Sequence, residues 1–361
     1  MIPVNRPKIW GSEIDIIKEA IDDGWISSES PYSKRLETEF AKACDRKYGV
    51  AVSNGTVALE LALKVLNISE GDEVIIPSHM IVSLLNSILR VGATPVFIDS
   101  SLHDWNLDID LLPEKITERT KAIIAPHTYG LAADMVRLSK IAKENNVYLI
   151  EDFAQAIGNK FDSGMAGSFG DVSCCSLYAN KNITSGEGGF CLTDDESIAE
   201  KIRWYSNLCF EPNERFKHFE IGSNYRLSGL QSAFALGQLR HIDEANDMRI
   251  SNGNYYRERI DPEKFTLPSV KNSMGKNHYW VFGLLVKGRH TAAQLSSYLL
   301  EHGIQTRPFF FPLEQQPLLK RNHPHCRISS YLREKGLYIP SGLGNTLDEF
   351  DFVIEKLNKY E

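Results

Sequence analysis

The chain has 361 residues, of which 42% are hydrophobic and 24% charged, and its formal net charge is −7. This length predicts a large domain with a smaller one attached, and a core large enough to fold without disulfide cross-links. No stretch reaches the roughly 18 uninterrupted apolar residues of a membrane span. The acidic balance, without a basic block rich in aromatics, argues against nucleic acid as a partner, although backbone amides could still bind a phosphorylated small ligand.

The first ten residues and the cysteines bear on where the protein works. The opening sequence MIPVNRPKIW lacks the apolar run and cleavage site of a secretory signal, so we expect a cytoplasmic protein. The six cysteines show neither CxxC spacing nor the density of a disulfide scaffold. Reduced, mostly buried thiols are therefore expected, and no metal site.

From residue 48 onward, short apolar runs alternate with stretches of helical periodicity. The runs typical of strands are 48–53, 73–77, 93–99, 121–127, 147–152 and 171–178. Helical patterns occupy 56–66, 80–91 and 135–145. Strands this apolar, separated by helices, predict an α/β fold whose mainly parallel sheet is covered on both faces.

A change of rhythm marks the predicted domain boundary. A long helix is predicted at 229–244, and the alternation stops after it, so we divide the chain into a large domain (1–245) and a small C-terminal domain (246–361). The signals of the small domain predict an α+β layer. They are an apolar run at 278–286, a helix at 291–302, the segment 306–312 and a closing helix at 347–359.

The turn after the first strand is the first of three candidate sites, because ligands of open α/β sheets bind beyond the carboxyl ends of the strands. Here Ser53-Asn54-Gly55-Thr56 runs directly into a helix. A flexible turn, a hydroxyl and free amides at a helix start suit a phosphate group. The alternative interpretation is an ordinary helix N-cap.

Asp152 is the second candidate, at the end of the apolar run VYLIE. A carboxylate in that place would be costly to bury without a cationic partner, and a protonated pyridine nitrogen is one such partner. The alternative is a carboxylate that caps the next helix.

Lys181 is the third candidate, in a segment that begins at Ser176 and leads into the Gly-rich turn 185–189. A lysine in a partly apolar pocket can lose its proton and form a Schiff base. Taken alone, a solvated surface lysine is the favoured interpretation, because most lysines are exposed. Pyridoxal-phosphate chemistry, however, needs a phosphate cup, an acid for the ring nitrogen and a lysine, and the chain carries all three.

Several longer segments follow a pattern seen elsewhere. They are SNGTVAL (53–59), GDEVIIP (71–77), GATPVFID (92–99), ED-AQ (151–155), GSFGDVS (167–173), NK-ITSGEGG (180–189) and NYRLSGLQSA (224–233). Together they resemble one known family along the whole chain, the DegT/DnrJ/EryC1/StrS sugar aminotransferases of the fold-type I pyridoxal-phosphate class. The resemblance implies a mainly parallel sheet of the seven-stranded type in the large domain.

The resemblance assigns roles to individual residues. It implies that Lys181 holds the cofactor, that Asp152 meets the pyridine nitrogen and that Gln155 lies near the ring hydroxyl. Asn224, in the NYR motif, would reach the phosphate of the neighbouring subunit's cofactor, so a homodimer with shared active sites is expected. The residues implied to hold the phosphate within one subunit are Gly55, Thr56 and Ser176.

The resemblance also implies an activity. L-glutamate would donate an amino group to a nucleotide-linked 4-keto-6-deoxy sugar by way of pyridoxamine 5'-phosphate, in the synthesis of O-antigen lipopolysaccharide or another glycan. The segment YANKNITSGEGG is most similar to that of the enzymes that aminate C4 of GDP-linked 4-keto-6-deoxymannose.

Three departures from the family pattern stand out. Ile81 occupies the position where an aromatic ring usually stacks on the cofactor, so that aliphatic packing, or neighbouring His79, would take its place. Glu314 replaces a histidine that commonly follows a PFFFPL-like segment. The stretch 209–218 also differs.

Other functions remain as alternatives. A sugar dehydratase of the same fold carries histidine at the cofactor lysine, and Lys181 argues against it. A dehydrogenase is disfavoured because no GxGxxG follows the first strand. A non-catalytic regulator on this scaffold stays open, because fold does not determine function.

Overall fold

Helices and short strands alternate along most of the chain in the computed structural model, which describes residues 1–320 and 322–361. The helices are α1 (Ser12–Asp22), α2 (Pro31–Ala43), α3 (Gly55–Val65), α4 (Ser83–Arg90), α5 (Leu112–Lys115), α6 (Met135–Glu144), α7 (Glu196–Ser206), α8 (Gly229–Leu239), α9 (Ile242–Arg257), α10 (Ala292–Glu301), α11 (Arg327–Lys335) and α12 (Leu347–Lys359). The strands are β1 (Tyr48–Val52), β2 (Glu73–Pro77), β3 (Thr94–Ile98), β4 (Thr120–Pro126), β5 (Tyr148–Asp152), β6 (Lys160–Phe161), β7 (Gly164–Met165), β8 (Val172–Ser176), β9 (Gly189–Thr193), β10 (Phe265–Thr266), β11 (Lys271–Asn272), β12 (Gly275–Lys276), β13 (Phe282–Val286), β14 (Arg307–Pro308) and β15 (Gly336–Ile339).

Seven strands form the large sheet in the order β1-β9-β8-β5-β4-β2-β3. Every neighbouring pair is parallel except those of β9, which runs antiparallel to both β1 and β8. Successive residues of one strand belong to the cores on opposite faces: Ile75 packs on one side, Val74 and Ile76 on the other. The prediction of a mainly parallel sheet covered on both faces is confirmed.

The carboxyl ends of the parallel strands meet at one edge of this sheet. Asn54 follows β1, His127 follows β4, and Asp152 and Ser176 are the last residues of β5 and β8. The three segments that the sequence singled out are thus brought to the same edge, where ligands of such sheets bind.

A second, antiparallel sheet lies in the C-terminal part, in the order β10-β13-β15-β14. Its core includes Phe282, Leu295, Leu337 and Phe350, contributed by strands and by α10 and α12. The amino terminus packs here too, because Ile2 pairs with Ile304 and Arg6 bonds to Glu349 at 2.9 Å. The predicted α+β layer is present. The division at 245/246 falls inside α9 and stays a prediction.

The single helix predicted at 229–244 is two helices in the structure, α8 and α9. His241 leaves the helical conformation (φ −112°, ψ 22°) at their junction. Its ring stacks on Trp10 with centroids 4.6 Å apart, and its Nε2 lies 3.3 Å from the Ser12 hydroxyl. Contacts with a distant segment accompany this break, and local periodicity does not reveal them.

Other element boundaries differ by a few residues. The helix predicted from 80 begins at Ser83, because Met80 bonds back to the Ser78 carbonyl in a turn (3.0 Å). Only two residues of 306–312 form a strand, and the run 278–286 pairs only from Phe282. Helices α1 and α2 lie before residue 48, where we predicted no element.

Two further features of the described residues concern the cysteines and the apolar character of the helices. All six cysteines lie in the described part of the chain and are buried and free. Among the residues described, no helix is long and apolar enough to cross a membrane.

Candidate active site

A cavity of about 680 Å³ opens at the carboxyl edge of the large sheet. It brings together six of the seven predicted site residues. Asn224 is not part of the lining and is exposed, with its backbone bridged to Asn207. Its predicted contact with a neighbouring subunit stays a prediction. The six lining residues are Gly55, Thr56, Asp152, Gln155, Ser176 and Lys181.

The start of α3 forms one wall of the cavity. The Asn54 side chain caps the helix by accepting a bond from the Val57 amide (3.0 Å). A Cβ on Gly55 would lie 2.8 Å from the Cβ of Ser176, so only glycine allows α3 to approach β8 this closely. The early amides of a helix have no intrahelical acceptor. Capping and a phosphate cup are therefore compatible, since Asn54 caps while Gly55, Thr56 and Ser176 border the cavity.

Asp152 brings a buried carboxylate to the cavity, with only 4% of its surface exposed. Its Oδ1 accepts a bond from the Ala154 amide (3.0 Å). Burial raises the pKa of this carboxyl, while the Ala154 bond and the Lys181 charge oppose the rise. Such a group gains from a cationic hydrogen-bond donor in the cavity, and a protonated pyridine nitrogen meets that need.

Lys181 is half-buried in the cavity wall, opposite an aromatic ring. Its Nζ lies 3.9 Å from the centre of the Trp280 ring. Burial lowers the pKa of this amine to about 8, against the raising effect of Asp152. A fraction of the amine is therefore neutral near pH 7, which is the form that attacks a carbonyl.

Gln155 lines the cavity with both ends of its amide group in contact with other residues. Its Oε1 accepts a bond from the Tyr129 amide (2.8 Å), and its Nε2 lies 3.5 Å from the Met80 sulfur. The side chain is 3% exposed and lines the cavity. Its predicted place beside a ring hydroxyl stays a prediction.

The departures from the family pattern have distinct locations. Ile81 lines the cavity with 41% of its surface exposed, whereas His79 is fully buried and is not part of the lining. Glu314 is also buried outside the lining, where it accepts bonds from the Ser78 hydroxyl and the Cys326 amide. Glu314 thus joins two parts of the fold and does not face the cavity.

Several cavity residues were missed by sequence reasoning. Trp280 lies about a hundred positions from Lys181, and no local pattern pairs the two. The aromatic lining residues that were not predicted are Tyr178, Tyr225, Trp280, Phe310 and Tyr338.

Comparison with known proteins agrees with this geometry. The model of the DegT/DnrJ/EryC1/StrS aminotransferase family matches residues 7–358. The chain belongs to this family. GDP-perosamine synthase from Escherichia coli O157:H7 is 34% identical, over 99% of this chain and 98% of that protein.

Two solved structures show the same fold. The aminotransferase TlmJ from Streptoalloteichus hindustanus has a TM-score of 0.93 at 25% identity, over 99% of this chain and 98% of that one. GDP-4-keto-6-deoxy-D-mannose-3-dehydratase from E. coli, with bound hydrated PLP, has a TM-score of 0.90 at 25% identity, over 99% of both chains. The predictions of a fold-type I architecture and of a pyridoxal-phosphate-dependent aminotransferase are confirmed.

The residues present fit this cofactor. The cavity offers the close approach of Gly55 to Ser176 for a phosphate, the Asp152 carboxylate for a ring nitrogen and the Lys181 amine for covalent attachment. When bound, pyridoxal phosphate supplies an electron sink for the electrons released at the carbon that loses its proton. The residues that would hold the group are Gly55, Thr56 and Ser176 at its phosphate, Asp152 at its ring nitrogen and Lys181 at its aldehyde carbon.

Proposed function

We propose that this aminotransferase transfers an amino group from L-glutamate to a nucleotide-linked 4-keto-6-deoxy sugar, with GDP-4-keto-6-deoxymannose as acceptor and GDP-perosamine as product. The observation that carries the proposal is the meeting of the Lys181 amine, the buried Asp152 carboxylate and the α3 start in one cavity. The GDP-linked acceptor is supported by the 34% identical GDP-perosamine synthase. The product would serve O-antigen or other glycan synthesis in the cytoplasm.

Each site residue has a proposed role in this reaction. Gly55, Thr56 and Ser176 bind the cofactor phosphate, Asp152 keeps the ring nitrogen protonated, and Gln155 bonds the ring hydroxyl. Lys181 holds the cofactor and, once released from it, acts as the base that removes a proton from the glutamate α-carbon and returns one on the sugar side. Ile81 packs against the ring where relatives place an aromatic side chain.

The two-step exchange predicts ping-pong kinetics, because glutamate must leave as 2-oxoglutarate before the sugar binds. Both half-reactions would use the same cavity of about 680 Å³, which Lys181 lines. We further propose a homodimer in which Asn224 completes the phosphate site of the partner subunit.

Lys181→Ala tests the assignment of the cofactor lysine. The unmodified protein with pyridoxal phosphate should absorb at about 410–430 nm, and glutamate should convert this band to a shorter-wavelength form. Lys181→Ala should lack the band and all turnover. Lys160→Ala is the matched control, because Lys160 is exposed, lies outside the cavity lining and bonds Asp243 through its amine (2.8 Å); it should behave as the unmodified protein.

The products distinguish the proposed acceptor from the alternatives. Mass spectrometry of reactions with GDP-, UDP- and dTDP-linked keto sugars should find an amino sugar, formed fastest from GDP-4-keto-6-deoxymannose. A product that has lost a hydroxyl without gaining nitrogen would indicate a dehydratase. A cofactor band with no product from any keto sugar would favour a regulator, and normal turnover by Lys181→Ala would refute the lysine assignment.

A further inference from the structure

Arg249, on α9, contacts the peptide segment on both sides of Lys181. Its Nε donates to the Asn182 side-chain oxygen (3.1 Å), and its Nη2 lies 3.4 Å from the Asn180 carbonyl oxygen. Its Nη1 donates to the Ser341 carbonyl (2.7 Å) in the C-terminal part of the chain. One guanidinium therefore spans both flanks of the lysine and a distant loop.

The surroundings of Arg249 are unusual for an arginine. The residue is 1% exposed, and the hydrogen-bond acceptors found for it among the described residues are all neutral. A buried cation without a carboxylate partner is costly. Burial accordingly lowers the pKa of the guanidinium to about 9. A neutral residue of similar size would be cheaper there if packing were the only requirement.

Other residues fix the same two flanking positions. The Asn180 carbonyl also accepts a bond from Trp280 Nε1 (2.9 Å), and Asn182 donates to the Asn246 side chain (2.7 Å). Ser341 in turn accepts the amide of Phe282, the first residue of β13 (3.0 Å). Arg249 thus joins the lysine segment to the second sheet through neutral acceptors.

We propose that Arg249 is a positioning residue for Lys181: its fork of donors fixes the two residues that flank the lysine and so aims the amine into the cavity. The proposal rests on the proposed function only in taking Lys181 as the cofactor lysine. Planar guanidinium geometry matters here, because a lysine carries its donors on a single nitrogen and cannot reach three separated acceptors.

Arg249 also acts on Lys181 through its charge. Burial and three neighbouring groups set the pKa of the Lys181 amine: burial lowers it most, Asp152 from β5 and Cys175 from β8 raise it, and Arg249 from α9 lowers it. Loss of the guanidinium should therefore raise the pKa of this amine. A lysine at 249 should keep the electrostatic effect while losing the geometry.

The test compares Arg249→Met and Arg249→Lys with the unmodified protein. The first readout uses the cofactor-free full chain: acetic anhydride labels lysines in trace amounts across a pH series, and mass spectrometry follows Lys181. The midpoint should be near pH 8 in the unmodified protein and in Arg249→Lys, and higher in Arg249→Met. The second readout is the rate at which glutamate removes the visible band, which should fall about 10- to 100-fold in both variants.

Tyr256→Phe is the matched control for simple destabilisation. Tyr256 is on the same helix, is fully buried and donates to the Pro340 carbonyl (2.6 Å), next to Ser341. It should lower the melting temperature without changing the labelling midpoint or the half-reaction rate. Unchanged midpoint and rate in Arg249→Met, or equal changes in Tyr256→Phe, would overturn the proposal.

If Arg249→Met does not fold, Arg249→Lys alone tests the proposal. A normal rate of the glutamate half-reaction in Arg249→Lys would then overturn it. The proposed function fails separately. It fails if the unmodified protein shows no visible band with pyridoxal phosphate. The effect of Arg249 on Lys181 can still be measured in that case, because the labelling midpoint is determined without cofactor.

Discussion

Adjacent carboxylates at the end of β5 have opposite surroundings. Glu151 accepts bonds from His127 Nε2 (2.9 Å), the Gly167 amide (2.8 Å) and the Ser173 hydroxyl (2.9 Å). The His127 Nδ1 accepts a hydrogen bond from the Ala133 amide, so the ring proton is on Nε2, which donates the hydrogen bond to Glu151. The hydrogen bonds that Glu151 accepts all come from the protein, so Glu151 holds the fold together. Asp152 lines the cavity and can accept a hydrogen bond from a further donor.

His79 is a second buried titratable group, directly before the cavity residue Met80. It is fully buried, and its ring centre lies 5.5 Å from that of Phe309 and 5.7 Å from that of Tyr129. Neither ring nitrogen has a hydrogen-bond partner in the part of the chain described. Burial lowers the pKa of this imidazole to about 3.

This pKa predicts a dependence of stability on pH. Below about pH 6.5 the unfolded chain protonates His79 while the folded protein does not, so stability falls as the pH decreases towards about 3. His79→Leu removes this penalty. Relative to the unmodified protein, it should be more stable at pH 5 by about 2 kcal/mol beyond any difference at pH 7.5, as measured by urea unfolding.

A control variant measures how the loss of an exposed histidine by itself changes the pH dependence of stability. His103→Leu changes a histidine at an exposed position, and its result is subtracted. If His79→Leu differs from the unmodified protein equally at both pH values, the buried neutral imidazole is not the cause.

Helices α1 and α8 meet through a glycine. A Cβ on Gly237 would lie 2.6 Å from both the Cα and the amide nitrogen of Glu13. Glu13 is itself fully buried and accepts the amides of Trp10 (3.1 Å) and Gly11 (2.8 Å), which fixes the start of α1. Backbone cannot yield as a flexible side chain does, so the two helices depend on this glycine.

Gly237→Ala should destabilise the protein although alanine is the better helix former. Helix propensity alone would stabilise by about 1 kcal/mol, and overpacking should outweigh it to give a net loss of about 2 kcal/mol in the free energy of unfolding. Ser251→Ala, at an exposed position of α9, should change stability by less than about 0.5 kcal/mol. Urea unfolding measures both, and a more stable Gly237→Ala would contradict the close contact.

The assembly of the whole molecule is tested by mixing inactive variants. Asn224 is exposed and absent from its own cavity lining, whereas Lys181 lines that cavity. If Asn224 serves the partner subunit, a hybrid of Lys181→Ala and Asn224→Ala subunits has both defects in one site and leaves the other intact.

Lys181→Ala and Asn224→Ala should each be inactive or strongly impaired alone. Unfolded and refolded together in equal amounts, they should recover about a quarter of the normal activity, because half of the dimers are hybrids with one intact site. Mixing Lys181→Ala with Asp152→Ala is the control, since both residues line the same cavity and no intact site can form. Equal recovery in both mixtures, or none in either, would argue against a shared site.

The fold and six of the cavity residues follow from the sequence because their signals are local. Apolar runs such as EVIIP, and the Ser53-Asn54 turn before α3, specify strands and a helix start from neighbouring residues alone. The parallel topology then brings the strand ends to one edge, so that Gly55, Asp152, Ser176 and Lys181 meet although up to 126 positions separate them.

Only the tertiary structure decided which distant side chains complete the site. Trp280 and Arg249 reach the lysine segment from 99 and 68 positions away, and no periodicity encodes such contacts. The choice between Ile81 and His79 at the cavity depended on a turn that begins α4 three residues later than predicted. Local patterns fix elements because they act between neighbours, whereas cavity lining depends on how finished elements pack.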